Sequence, residues 1–272
     1  MALMLVVSVP ATDAEIASDA LWALGVVAVE ERPVGDGEIV ELHTSLGEDH
    51  DAVTHAAEGF PARWRWHLHE VDDAVADTWR QHALPTWVAN DLVIVPAWVP
   101  FEAPPDVLAV RIEPGATFGL GDHPTTVLTA RAMREALWTG ATVLDVGCGS
   151  GVLAVVAALL GAATCDAVDV SPAAVAVTAA NARANGVGAQ VHASTQTLDQ
   201  LDGPYDVVVA NILAPALIAL APQLVRLVAP SGVLVISGLL EGHSDHVVEA
   251  LAPLQAASTM SREAWVAITL RH

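Results

Sequence analysis

A short apolar strand that ends in three glycines at alternate positions constrains this chain more than any other feature of its sequence. Residues 143–151 read V-L-D-V-G-C-G-S-G, and an alanine-rich apolar helix is predicted from about Val152 to Leu160. A strand, a glycine turn and a helix in this order bring the backbone close to a ligand at the helix N-terminus. Three ordered glycines are costly, because glycine loses the most conformational freedom on folding, and a turn that binds no ligand would gain nothing to offset that cost. A ligand-binding turn is therefore predicted, and a tight turn without a ligand is the alternative.

The glycine spacing narrows the class of ligand. A dinucleotide fingerprint needs G-x-G-x-x-G, and here Val152 stands where its third glycine would be. A phosphate-binding loop needs a lysine after its last glycine, and this chain contains no lysine. Asp145, two residues before Gly147, followed by G-x-G-x-G with Gly149 at its centre, resembles motif I of the class I S-adenosylmethionine (SAM) methyltransferases. A nicotinamide-dependent oxidoreductase remains as a more remote alternative.

A second acidic residue stands at the spacing that a nucleoside site requires. Asp169 follows the glycine turn by about 20 residues, at the end of the next predicted strand, where a carboxylate can accept both ribose hydroxyls. Ser171 and Pro172 then predict the cap and first position of a helix that ends near Gly186. The alternative role for Asp169 is that of a capping or loop carboxylate.

Strand and helix patterns alternate from Thr142 onwards, which predicts a doubly wound, mostly parallel α/β sheet. A closing strand over Ser261–Leu270, which contains Trp265, could insert antiparallel. Residues 1–72 follow the order β-α-β-β-α-β of a small ferredoxin-like domain. The predicted domains are 1–72, the small ferredoxin-like domain; 73–112, a linker helix and connecting strands; and 113–272, the larger α/β domain.

The composition predicts a soluble cytoplasmic protein with no membrane partner. The sequence is 53% hydrophobic, but no stretch near the ~20 residues of a membrane span lacks proline, glycine or polar residues. The first ten residues contain no basic side chain, unlike a signal peptide. Cys148 and Cys165 form no disulfide framework, and the scattered histidines predict no metal site.

The net charge of −21 argues against a nucleic-acid substrate held by its phosphates and favours a basic partner. Residues 1–72 hold fourteen acidic residues and three arginines, a net charge of −11, so the small domain is the more acidic per residue. A solvated acidic surface that serves solubility alone is the alternative.

An asparagine ends the fourth strand predicted in the larger domain. Ligands of such sheets bind at the carboxyl ends of the strands, so Asn211 is expected beside the glycine turn. Its carboxamide oxygen can accept a hydrogen bond from a substrate amine and orient the nitrogen toward a methyl group. An Asx turn at the strand end is the alternative.

Three motifs together resemble the bacterial ribosomal protein L11 methyltransferase family. They are F-G-L-G-D-H-P-T-T over residues 118–126, motif I, and N-I-L-A from Asn211. The resemblance implies SAM-dependent methylation of lysine side chains and an N-terminal amine of a ribosomal protein, with residues 1–72 as the substrate-recognition domain. We expect this substrate to be ribosomal protein L11 before it binds RNA, and we expect no direct nucleic-acid partner. It also implies these site residues: Asn211 and His123 for catalysis, and Thr126, Asp145, Gly147, Gly149, Asp169, Asn211 and Phe118 for SAM.

Two positions depart from the family pattern. Leu120 stands where the family usually has threonine, and Trp79-Arg80 replaces a more usual Trp-Lys. His123 is predicted to accept the proton of the amine, and a structural role in its loop is the alternative. The glycine- and proline-rich loop Glu113–Thr126 is predicted to close over the cofactor. Methylation of another protein lysine or of a small molecule also remains open.

Overall fold

The computed structural model describes residues 2–24, 26, 29–35, 37–44, 50–71, 80, 83–115 and 119–272. They form two compact units, Met1–Ala83 and Leu84–His272. The strands predicted within the connecting segment 73–112 belong to the larger unit, whereas the linker helix predicted at Asp73–His82 lies almost wholly outside the described residues. The predicted domain limits therefore remain predictions.

The smaller unit is a four-stranded antiparallel sheet with two helices. Its elements are β1 (Ala2–Pro10), α1 (Ala14–Ala23), β2 (Glu30–Val34), β3 (Ile39–Thr44), α2 (His50–Glu58) and β4 (Arg65–Val71). The strand order is β2-β3-β1-β4, so β1 lies between the two strands that flank α2 in sequence. Alternate residues of β1, Leu5, Val7 and Val9, are fully buried and pack with Leu21 of α1 and Val53 of α2. This is the predicted ferredoxin-like arrangement.

The larger unit contains two sheets. The strands are β5 (Thr86–Ala89), β6 (Leu92–Pro96), β7 (Leu108–Ile112), β8 (Thr142–Val146), β9 (Thr164–Val168), β10 (Val191–Ser194), β11 (Tyr205–Asn211), β12 (Val228–Leu240), β13 (Gln255–Arg262) and β14 (Trp265–Arg271). The helices are α3 (Pro124–Ala136), α4 (Val152–Leu159), α5 (Pro172–Ala184), α6 (Ala214–Ala219), α7 (Ala221–Leu227) and α8 (Asp245–Ala250). A small sheet joins β5, β6 and β7, and the central sheet has the order β10-β9-β8-β11-β12-β14-β13.

The central sheet confirms the predicted fold class. Strands β10, β9, β8, β11 and β12 are parallel, and β14 inserts antiparallel between β12 and β13. The chain runs outward from β8 to β10 and then returns to β11 on the other side of β8. This switch point opens a crevice at the carboxyl ends of β8 and β11, where such sheets bind ligands.

The prediction of a single closing strand was wrong. Residues 255–271 form a hairpin of two strands, and its turn residues Glu263 and Ala264 have φ angles of 51° and 66°. Turns with two positive φ values usually contain Asn-Gly or Asp-Gly, so Glu-Ala provides no sequence signal for the reversal. Strand β5 was also missed, because its four residues are too short to show a period.

The central strands are apolar along their whole length because both faces of the sheet are covered. Val207 and Val209 of β11 pack into one cluster, and Val208 and Ala210 pack into the other. Strands buried on both faces show unbroken apolar runs instead of alternation. The covered central sheet therefore accounts for much of the high hydrophobic content. No described helix has the length and apolar character to span a membrane.

Candidate active site at the carboxyl edge of the sheet

The glycine turn connects β8 to α4 in a conformation that side chains disfavour. Gly147 and Gly151 have φ angles of 74° and 78°. A Cβ at Gly147 would lie 2.4 Å from Ile212 Cγ2, and a Cβ at Gly151 would lie 2.6 Å from Thr178 Cγ2. Both positions therefore require glycine for conformation and for space. The solvent-exposed Gly147 leaves backbone open at the switch point.

Asp169 holds the glycine turn from the neighbouring strand. Its Oδ2 accepts a hydrogen bond from Gly149 N at 3.0 Å, and its Oδ1 accepts one from Ser171 N at 2.9 Å. A carboxylate has about four acceptor sites, so each oxygen retains one for another donor. The next residue, Val170, is 97% exposed and places apolar surface beside this carboxylate. Hydroxyl-binding capacity and apolar surface thus lie together, as a nucleoside requires.

Asn211 lies at the same edge, on the other side of the glycine turn. Val146 of β8 pairs with Ala210 of β11, so Gly147 and Asn211 are the next residues of two adjacent strands. Ile212 then passes between Gly147 and Gly238, since a Cβ at Gly238 would lie 2.4 Å from its carbonyl oxygen. The turn after β11 is therefore packed between two glycines, which fixes the direction in which Asn211 leaves the sheet.

His123 caps α3 at this edge. Its Nδ1 accepts a hydrogen bond from Thr125 N at 3.3 Å, and its ring meets that of Trp265 edge-on with centroids 5.1 Å apart. Trp265 begins β14 and pairs with Leu240 at the end of β12. Burial is the main cause of a lowered pKa for His123, against the opposing charges of Asp122 and Glu263. The capping role is thus a structural one, and the proton-acceptor role remains a prediction.

Of the two other loop residues predicted to bind SAM, Thr126 is among the described residues and Phe118 is not. Thr126 lies in the first turn of α3 and is 1% exposed. Phe118 falls outside the described residues, so its predicted contact with the cofactor remains a prediction. Ser150 of the glycine turn donates a hydrogen bond from its hydroxyl to the carbonyl of Gly119, which joins the loop to the turn.

Comparison with known proteins identifies the family. The sequence profile described as "Ribosomal protein L11 methyltransferase (PrmA)" matches residues 6–272. This chain belongs to the ribosomal protein L11 methyltransferase family. The predicted family is therefore confirmed, and membership removes the nicotinamide-dependent alternative.

Relatives of this family extend the match over most of the chain. The ribosomal protein L11 methyltransferase of Symbiobacterium thermophilum is 39% identical over 237 residues, which are 86% of this chain and 76% of that protein. The Heliobacterium modesticaldum protein of the same name is 34% identical over 99% of this chain and 89% of its own length. The Geobacter metallireducens protein is 42% identical over 73% of this chain, but over only 65% of its own length.

A solved structure supports the same assignment. The crystal structure of ribosomal protein L11 methylase from Lactobacillus delbrueckii subsp. bulgaricus superposes with a TM-score of 0.64 and 32% identity. It covers 69% of this chain and 99% of the other. The present family member is a methyltransferase of the class I fold, and SAM is its cofactor.

The residues at the carboxyl edge fit SAM. Asp169 has acceptor capacity for two ribose hydroxyls, Val170 offers an apolar face to the adenine, and the bare backbone of Gly147 permits close approach. In the described part of the chain, no group of three His, Cys, Asp or Glu side chains could hold a metal ion.

Asp145 supports the turn of this methyltransferase from beneath. Its side chain is 1% exposed and its Oδ2 accepts a hydrogen bond from Ala154 N, in the first turn of α4, at 3.1 Å. Its Oδ1 has no hydrogen-bond partner among the described residues. Burial, with a smaller contribution from the charge of Asp169, raises the pKa of Asp145 to about 7. A direct contact between Asp145 and the cofactor remains a prediction.

Asp145 should make the stability of this enzyme fall as pH rises. Its carboxyl has a pKa of about 7 in the folded state and 3.8 as a model group, so between these values the folded state binds the extra proton. The free energy of unfolding therefore decreases with pH across that window. Asn mimics the protonated form, so Asp145→Asn should show a smaller loss of unfolding free energy between about pH 4 and 7, measured by urea unfolding. An unchanged pH dependence would contradict the shifted pKa.

Cys148 is a packing residue. Thr178 Oγ1 donates to its Sγ at 3.3 Å and to Gly149 O at 3.1 Å. Burial is the main cause of a pKa raised to about 12, so the thiol stays protonated. A nucleophilic role would require a thiolate near neutral pH, which this environment opposes.

Sequence reasoning missed two residues, Gly238 and Asn181, that support the candidate site from outside the crevice. Gly238 has a φ angle of 89° and makes room for the Ile212 backbone, and Asn181 contacts both the glycine turn and the loop. The only signal for Gly238 was a Ser-Gly pair at the end of a predicted strand. Asn181 gave no signal, because its partners are 31 and 68 residues away in sequence.

Proposed function

We propose that this chain transfers methyl groups from SAM to amino groups of ribosomal protein L11, at lysine side chains and the N-terminal amine. The observation that carries the proposal is the position of Asn211, one residue beyond the Val146–Ala210 pair and adjacent to Gly147. A carboxamide at this point can orient a nitrogen nucleophile beside the cofactor turn. The names of the relatives supply the substrate.

The cofactor is bound at the carboxyl ends of β8 and β9, on one side of the crevice. The turn at Gly147 and Gly149 receives the methionine portion, and Asp169 accepts the ribose hydroxyls. Bound SAM supplies a methyl group on a sulfonium, which is electrophilic without further activation. The enzyme therefore contributes positioning, and a near-attack distance of roughly 3–3.5 Å is the main requirement.

The amine must be neutral before it can attack, and an ordinary lysine has a pKa of about 10.4. Leu213, two residues after Asn211, is 39% exposed. Leu240, the last residue of β12, is 43% exposed. We propose that these two exposed leucines line the entrance for the substrate, where apolar surroundings would lower the pKa of an entering lysine by disfavouring its charge. Asn211 Oδ1 accepts a hydrogen bond from the amine. Because His123 Nδ1 accepts from Thr125 N, the neutral ring carries its proton on Nε2, and His123 can take the proton of the amine only at Nδ1, by giving up the helix cap.

Residues 1–72 select the substrate in this proposal, and the encounter takes place in the cytoplasm before L11 joins ribosomal RNA. Their net charge of −11 attracts a lysine-rich protein, whereas the −21 of the whole chain repels RNA phosphates. The free protein is therefore the preferred substrate over the assembled large subunit.

Methylation of purified L11 with SAM, followed by mass spectrometry of its lysines and N-terminus, tests the activity. For free L11 we expect kcat/KM to fall as salt rises, because exposed charges are screened beyond about 8 Å at physiological ionic strength. The Kd of SAM measured over the same salt series is the control and should change little. Faster methylation of assembled large subunits than of free L11, at the same low salt, would contradict the free substrate.

A further inference from the structure

We infer that Asn181 is a positioning residue that couples the root of the loop Glu113–Thr126 to the glycine turn, and through it to cofactor affinity. This inference rests on the SAM site proposed above. Asn181 lies on α5, is 3% exposed, and does not reach the crevice itself. Its effect on the cofactor must therefore pass through the backbone that it holds.

The side chain of Asn181 joins two segments. Nδ2 donates to Glu113 O at 2.9 Å and to Ser150 O at 2.8 Å, and Oδ1 accepts from Glu113 N at 3.0 Å. Both donor hydrogens and one acceptor position are thus used. A buried amide with its partners satisfied fixes its neighbours firmly, because any displacement leaves polar groups unpaired away from water.

Ser150 extends the connection to the middle of the loop, at Gly119. Its carbonyl is held by Asn181, and its hydroxyl donates to Gly119 O. A Cβ at Gly119 would lie 2.9 Å from that hydroxyl oxygen, so the loop backbone sits directly against the turn. The loop is therefore fastened at Glu113 and at Gly119, and both fastenings meet at Ser150 between Gly149 and Gly151.

Asn185 provides a matched control one helical turn later. Its Nδ2 donates to Arg111 O at 2.7 Å and its Oδ1 accepts from Arg111 N at 2.9 Å, the same pairing that Asn181 makes with Glu113. Arg111 lies within β7, which is already paired with β6. The described hydrogen bonds of the Asn185 side chain do not reach the glycine turn. Loss of the amide therefore breaks the same pair of backbone bonds at both positions, with a smaller desolvation cost at the half-buried Asn185. Only the Asn181 side chain also holds the glycine turn.

The variants Asn181→Asp and Asn185→Asp test the inference. Each keeps one acceptor and loses the donors, and at position 181 the new carboxylate faces the carbonyls of Glu113 and Ser150. We expect the Kd of SAM, measured by calorimetry well below the Tm of each variant, to rise about tenfold in Asn181→Asp and less than about twofold in Asn185→Asp. The KM for SAM should rise with the Kd, whereas kcat at saturating SAM stays within about threefold of the parent.

Amide hydrogen exchange without cofactor gives a second measurement. Residues 119–121 should exchange faster in Asn181→Asp than in the parent, and at the parent rate in Asn185→Asp. Asn181→Ser, which introduces no buried charge, serves if Asn181→Asp fails to fold. Equal effects of the two Asp variants on SAM affinity would overturn the inference. If Asn181→Asp binds normally while Gly147→Arg does not, the coupling fails but the cofactor site stands; if Gly147→Arg also binds SAM, the site itself fails.

Discussion

Gly147→Arg is expected to abolish SAM binding. The φ angle at this position is 74°, and even a Cβ would lie 2.4 Å from Ile212 Cγ2. An arginine must therefore either displace the turn after β11, which carries Asn211, or occupy the crevice where the backbone is now open. Either movement removes the surface on which the cofactor rests. Isothermal calorimetry with SAM is the measurement, and parent-like binding by the variant would place the cofactor elsewhere.

Gly186 supplies the control for backbone strain. Its φ angle of 75° matches that of Gly147, but a Cβ there would meet nothing within 4 Å. Alanine at either position adopts a disfavoured left-handed conformation at a similar cost of about 1–2 kcal/mol. We expect Gly186→Ala to lose stability but bind SAM normally, and Gly147→Ala to lose stability and bind at least tenfold more weakly. Equal SAM affinities in the two alanine variants would show that crowding of Ile212 has no effect on binding.

Asn211→Ala is expected to lower kcat for L11 methylation by about 10²–10³-fold, since a misplacement of about 1 Å at the reacting atoms can cost a hundredfold. The variant removes the acceptor that orients the amine, while β11 and its pairing with β8 and β12 remain intact. Single-turnover methylation at saturating SAM and L11 measures the effect on the chemical step.

The control for Asn211 is another asparagine outside the site. Asn185→Ala removes an amide of the same size from the end of α5, so it reports the effect of a general loss of stability. We expect its single-turnover rate to stay within about twofold of the parent. Retention of more than half the parent rate by Asn211→Ala would instead support a purely structural Asx turn at the strand end.

The arrangement of the strand ends proposed to bind the cofactor could be predicted because its signals are local. The strand, the glycines and the helix are contiguous, and Asp169 follows at a distance that one β-α-β unit determines. Ser171 caps α5 through Ala174 N, and Gly186 follows its end with positive φ, as the pattern indicated. The alternation of strands and helices likewise determined the sheet and therefore placed Asn211 at the carboxyl edge.

Local pattern was insufficient where a residue's role depends on a distant partner. The hairpin of β13 and β14 turns at Glu263-Ala264, a pair with no turn preference, so its geometry is set by pairing along the sheet. Asp145 is buried and accepts a hydrogen bond from Ala154 N of α4, an environment that raises its pKa to about 7 and that no local pattern indicated. Its contact with the cofactor remains a prediction.

The sequence by itself determined the family, the fold class and the strand ends that carry the site, because periodicity and glycine spacing act over a few neighbouring residues. Only the tertiary structure decided how those strand ends are held: Ile212 between Gly147 and Gly238, and Asn181 between Glu113 and Ser150. These contacts join segments far apart in sequence, and steric exclusion and buried hydrogen bonding specify them only after the chain has folded.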